Sequence, residues 1–195
     1  LTDEQCVERI KEANPRLICF VVYGQNPNSG TVNMSGTVTM ASAVKKANID
    51  IPIAIVGSHV QALPFETLEN EKDIDIVFTN EGVYALRNLL NHENLTDVSV
   101  LQSVKGIGFR QSGKVILTTP ESIVPQNRMD IDLPGYAWDL LPYNEKPLDL
   151  YRAPMWHAEY IEENRSPYAA LYTSLGCMFK CSFCMINILN RNDND

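Results

Sequence analysis

The chain has 195 residues and a mass of 21.9 kDa, room for one ordinary domain or two small ones. Hydrophobic residues make up 45% and charged residues 21%, globular proportions that exclude wholesale disorder. The 16 Lys and Arg face 24 Asp and Glu, and the resulting net charge of −8 has the wrong sign for a groove built on nucleic acid or for an anionic membrane surface.

Thr2, with Gln5 three residues later, forms a capping box, and Val7, Ile10 and Ala13 give the helix behind it a short apolar stripe that Asn14-Pro15 ends. Residues 17–23 are apolar at every position. A strand wetted on one face would alternate, so this one is expected to be buried on both, as in a parallel sheet. The Gly-, Asn- and Ser-rich stretch 24–36 reads as a loop, followed by a helix over roughly 37–48 with Val38, Ala41 and Val44 on one side. A second apolar strand, 51–56, closes on Gly57-Ser58-His59. A helix over 63–70, a strand over 74–78, the turn Asn80-Glu81-Gly82 and a helix over 83–90 complete the alternation. Strand and helix alternating at these lengths predict an α/β, flavodoxin-like (Rossmann-type) parallel sheet. Residues 101–119 break that rhythm, and Gln111-Ser112-Gly113 between two apolar runs predicts a hairpin at the sheet edge.

Seven of the 11 prolines fall within 120–167, with one glycine, both tryptophans and four tyrosines. Proline without glycine predicts an extended, stiff interdomain strap, and the aromatics predict that it packs along a surface. A new strand starts at Tyr168 and runs into Cys177, Cys181 and Cys184. The organisation read from the chain is therefore an α/β domain over 1–119, a strap over 120–167, and the first βα element of a further (β/α) barrel over 168–195. The chain opens on Leu1 rather than Met and closes on polar residues, so it reads as a segment of something longer. Its apolar runs are far shorter than the ~20 residues a membrane helix needs, and no basic-then-apolar leader opens it. A cytoplasmic location is the expectation.

The three clustered cysteines carry the chemistry, whereas Cys6 and Cys19 lie apart in apolar patterns and read as core thiols. Thiolates at C-x3-C-x2-C can hold three irons of a [4Fe–4S] cluster and leave the fourth open to substrate. A zinc knuckle would need a fourth ligand, and neither His nor Cys follows Cys184; three thiols without metal are the other alternative. With Gly176 ahead of the cluster and Phe183 before the last cysteine, the segment resembles the radical S-adenosylmethionine (SAM) family. That resemblance implies that Cys177, Cys181 and Cys184 ligate the cluster, that Phe183 shields it beside the SAM adenine, and that a flavodoxin- or ferredoxin-type protein donates one electron. A radical formed from SAM then acts on a small-molecule substrate.

Upstream, ligands of an open α/β sheet bind beyond the carboxyl ends of its strands. The order of βα units, the stretch GSHVQALPFETL after one strand, the NEG turn after the next, the hairpin GIGFRQSGKV and the run DIDLPGYAWDLLP together resemble the radical SAM enzymes that carry an N-terminal B12-binding domain. By that resemblance Gly57, Ser58 and His59 contact cobalamin, and Tyr23, Gly24, Asn80, Glu81 and Gly82 line neighbouring loops. The chain departs from the family in reading Gly57-Ser58-His59 where Gly-Gly-Pro-His is common, and in lacking an Asp-x-His-x-x-Gly motif. The resemblance implies methylation, ring formation or rearrangement by the whole enzyme and no activity from the 195-residue piece alone. Two other readings fit the same residues: a radical SAM enzyme whose B12-like domain no longer binds the corrin, and a non-enzymatic corrin or metal sensor.

Overall fold

A computed structural model describes residues 2–23 and 27–140, with backbone alone for 27–30, and the single positions Glu163, Phe179, Cys181 and Ser182. The residues up to Gln126 form one compact unit, and a second begins at Asn127.

The first unit opens with α1, Asp3–Ala13, capped as its sequence demands. The Thr2 hydroxyl accepts from the Gln5 amide, and the Thr2 amide donates back to the Gln5 side chain. Asn14 ends the helix in a left-handed conformation, its amide bonded to the Ile10 carbonyl. Then follow β1 (Ile18–Val22), α2 (Pro27–Lys46), β2 (Ile53–Gly57), α3 (Ser58–Ala62), α4 (Pro64–Asn70), β3 (Ile76–Phe78), α5 (Val83–Leu90), α6 (Val98–Ser103), β4 (Ile107–Gln111) and β5 (Lys114–Leu117). The five strands form one sheet in the order β1-β2-β3-β4-β5. β1, β2 and β3 are parallel, with Ile18 opposite Ile53 and Ala54 opposite Ile76, whereas β4 and β5 are antiparallel. This is the open α/β sheet with an edge hairpin that the apolar strands and the Gln111-Ser112-Gly113 turn predict.

Alternation along the strands divides the core. Ile53, Ile55 and Val77 pack with Met34, Ala41 and Val44 of α2, Val60 of α3 and Leu68 of α4. Ala54, Val56, Ile76 and Phe78 pack on the other face with Ala85 and Leu89 of α5 and Leu101 of α6. β2 lies between two parallel neighbours and is buried at all five positions. Helix packing on both faces is what a strand apolar throughout requires.

The structure corrects the sequence reading in several places. Residues 24–36 are not a loop throughout, because α2 begins at Pro27. Proline suits the first helical position, and the helix is carried by Met34, Ala41 and Val44 packing on the sheet despite its glycines. Ser58 and His59 are not loop residues but the first turn of α3. β1 is not buried on both faces: it stands at the sheet edge, and Val21 is 69% exposed. α6, capped by the Asp97 carboxylate on the Ser99 and Val100 amides, is only six residues long, too short for its periodicity to show in the sequence. The extended strap is also interrupted. Within 120–140 the chain makes helical turns at Gln126–Arg128, Met129–Asp132 and Trp138–Leu140. An Arg128–Asp132 pair four residues apart favours the middle one. In this second unit the rings of Tyr136 and Trp138 lie 5.1 Å apart, and both remain about half exposed.

Candidate functional site at the strand ends

The carboxyl ends of β1 and β2 are held closer than side chains would permit. A Cβ on Gly57 would stand 2.0 Å from the Val22 carbonyl oxygen, so only glycine lets β2 end beside β1. Just beyond, the chain turns directly into α3, which buries Ser58 and leaves His59 half-buried. The His59 Nδ1 lies 3.0 Å from the Thr31 hydroxyl on α2. That contact orients the ring and leaves Nε2 with no hydrogen-bond partner among the described residues.

Tyr23, the residue after β1, is tied down from two sides. Its hydroxyl accepts a 2.8 Å hydrogen bond from the Gln61 amide group, and its carbonyl accepts one of 3.1 Å from the Asn33 side chain. Gln61 is 1% exposed, a buried polar residue of α3 serving the Tyr23 ring. Tyr23, Leu63 and Phe65, which follow β1 and α3 in the chain, are each about 40% exposed. Sequence reasoning misses Thr31, Asn33 and Gln61. The first two lie in a stretch whose composition imitates a loop, and Gln61 shows its purpose only once α3 places it under Tyr23.

The end of β3 behaves differently, because its polar side chains bond to the protein. Asn80 donates 2.9 Å to the Glu121 carbonyl and accepts 3.0 Å from the Gly82 amide. Glu81 accepts 2.8 Å from the Val124 amide. Burial raises the Glu81 carboxyl above its ordinary range and the Glu121 charge adds to this, partly opposed by the amide hydrogen bonds it accepts. Gly82, in a left-handed conformation with φ 78°, starts α5.

Of the cysteines singled out from sequence, Cys181 is exposed with a free thiol. Cys177, Phe183 and Cys184, like Gly24, lie outside the described residues. Among those described, no helix is long and apolar enough to cross a membrane.

The ends of β1 and β2 gather groups of the kind that meet a ligand with an apolar face. They are the part-exposed Tyr23 ring, a close backbone at Gly57 and one imidazole nitrogen held in a fixed direction. No family model matches the chain. It is similar to an uncharacterized methyltransferase of Pyrococcus horikoshii, 29% identical over 184 residues, which cover 94% of this chain and 34% of that protein. It is also similar to the cytidylyl-2-hydroxyethylphosphonate methyltransferase of Streptomyces wedmorensis, 26% identical over 199 residues, covering 94% of this chain and 35% of that one. The chain thus spans about a third of the length of these curated relatives.

Proposed function

We propose that the chain is part of a methyltransferase of the cobalamin-dependent radical SAM type, its α/β unit holding the corrin and its cysteines the cluster. The observation that carries the reading is the C-x3-C-x-Phe-C run at Cys177–Cys181–Phe183–Cys184, and the similarity to two methyltransferases along 94% of the chain supports methylation over ring formation. Cobalamin, when bound, supplies a cobalt centre that carries the methyl group, and the cluster supplies the electron that activates SAM.

The chain's own residues fit these groups by their chemistry. The three cysteines would hold the cluster through thiolate sulfur, the usual ligand for iron–sulfur centres. Tyr23, fixed by Gln61 and Asn33, would lay an aromatic edge along the corrin, and the Gly57-Ser58 backbone would let the ring system approach the strand ends. His59 would present Nε2 while Thr31 holds Nδ1, a second partner that fixes ring orientation as it does for many ligand histidines. Phe183 would exclude water from the cluster side. A small-molecule substrate and a flavodoxin- or ferredoxin-type electron donor complete the proposal.

Anaerobic reconstitution of the full-length protein with iron and sulfide, followed by EPR, tests the cluster. A reduced [4Fe–4S] signal that changes on adding SAM is expected, and a signal indifferent to SAM overturns the radical SAM assignment. Titration with hydroxocobalamin tests the α/β unit separately: failure to retain the corrin would leave a radical SAM enzyme with a corrin-free sheet domain.

A further inference from the structure

Between Pro120 and Pro125 the chain leaves the sheet and gives up ladder partners for its amides, yet the Glu121 carbonyl and the Ser122 and Val124 amides are bonded to side chains. The Gly106 amide donates 2.8 Å to the Thr119 carbonyl, and the Thr79 amide donates 2.9 Å to Gly106, so the exit from β5 lies beside the end of β3. Asn80 then takes the Glu121 carbonyl at 2.9 Å. Asn88, on α5, donates 3.0 Å to one Glu121 carboxylate oxygen, and the Ser122 amide donates 2.8 Å to the other. Glu81 accepts from the Val124 amide at 2.8 Å, the last donor before Pro125, which has none. Packing follows the same path. A Cβ on Gly106 would stand 2.7 Å from that of Glu121, and Val124 is only 5% exposed.

We propose that the Asn80-Glu81-Gly82 turn, with Asn88, is a clasp that fixes where the proline-rich segment departs from the α/β unit, rather than a contact for the ligand of the strand ends. Each element of the clasp answers a local need. Prolines on both sides deny the segment a regular ladder, and buried amides must still find acceptors. The turn supplies one acceptor from Glu81 and one donor from Asn80. Glu121 spans the gap between α5 and the segment, over the glycine that makes room for it. The clasp stands whether or not a corrin binds at β1 and β2, because none of its groups belongs to the Tyr23–His59 cluster.

Hydrogen exchange by mass spectrometry on the full chain, comparing wild type with Glu81→Ala, Glu81→Gln and Asn88→Ala, tests this directly. Glu81→Ala is expected to speed exchange of the 121–124 amides at least tenfold while β2 and β3 stay protected. Glu81→Gln, which keeps an acceptor oxygen, is expected to stay within about twofold of wild type. Asn88→Ala lies outside the turn and is expected to speed the same amides about threefold by freeing the Glu121 carboxylate. Unchanged protection of 121–124 in both alanine variants overturns the clasp. So does Glu81→Gln exchanging as fast as Glu81→Ala, or an exchange rise spread evenly over the sheet. Loss of corrin retention in Glu81→Ala with 121–124 still protected would restore the turn to the ligand and likewise overturn it.

Discussion

Gly57 shows how little freedom a single position has at the strand ends. Its place opposite Val22 in the β1–β2 register sets the 2.0 Å approach that any Cβ would have to make to a backbone oxygen. Backbone cannot swing aside as a side-chain tip can, so Gly57→Ala should destabilise the chain by about 3 kcal/mol, read as a lower urea midpoint with an unchanged slope. Cys19 makes a second residue-scale case. Burial pushes its thiol up to about 11, which leaves roughly one molecule in a thousand as thiolate at pH 8. Cys181, by contrast, is open to solvent. In the metal-free chain, iodoacetamide at pH 8 should therefore modify Cys181 within minutes and leave Cys19 largely untouched until the protein is unfolded. Comparable rates at the two sites would show that β1 opens far more readily than its half-buried thiol implies.

Arg110 is where one side chain organises an element. From β4 it reaches the end of α4 and the loop before β3, donating to the carbonyls of Leu68 at 2.8 Å and Lys72 at 3.0 Å, and also to that of Ile74. The Leu68 carbonyl belongs to the last turn of a seven-residue helix that has no basic residue of its own there, and those of Lys72 and Ile74 belong to the loop that follows. A planar guanidinium spreads its donors over separate nitrogens, here Nη1 toward Leu68 and Nη2 toward Lys72 and Ile74, whereas an ammonium aims all three of its donors from one point. Arg110→Ala should cost about 2 kcal/mol in stability, seen in thermal unfolding, and Arg110→Lys should recover less than half of that. Elements also show what a sequence conceals. The parallel strands were legible because an unbroken apolar run too short for a helix suits little besides a strand of a parallel sheet. The hairpin was legible because Ser112 and Gly113 both suit the left-handed turn they adopt, with φ of 49° and 79°. The start of α2 was not legible. Gly, Asn and Ser weaken a helix by amounts smaller than the packing of Met34 and Ala41 against the sheet returns, and that packing is a property of the fold. The edge position of β1 was hidden for a related reason, since burial on both faces depends on which helices reach that far.

At the scale of the whole molecule, the candidate site was legible as residue types and not as partnerships. Gly57, Ser58, His59 and Tyr23 stand at the strand ends as their place in the sequence foretold. The pairing of His59 with Thr31 and of Tyr23 with Gln61 depends on a helix start that composition disguised. Glu81 is the reverse case, because its residue type suits a ligand contact while its hydrogen bond holds the chain itself. That bond makes a prediction about global stability. Burial is the main cause that lifts the Glu81 carboxyl above 4.5, with repulsion from Glu121 in the same direction. A carboxyl raised on folding binds its proton more tightly in the folded than in the unfolded chain. Its contribution to stability is therefore fully present below about pH 4.5 and is lost as the pH rises through the folded value. Glutamine keeps an acceptor for Val124 and never ionises, so it escapes that loss. The urea midpoint of Glu81→Gln, measured against wild type at pH 4, 5.5 and 7, should start near parity and move above it as the pH rises, the titrations of all other groups cancelling in the difference. A gap that stays flat, or one that widens toward acid, would mean that the Val124 amide and not burial governs the charge on Glu81.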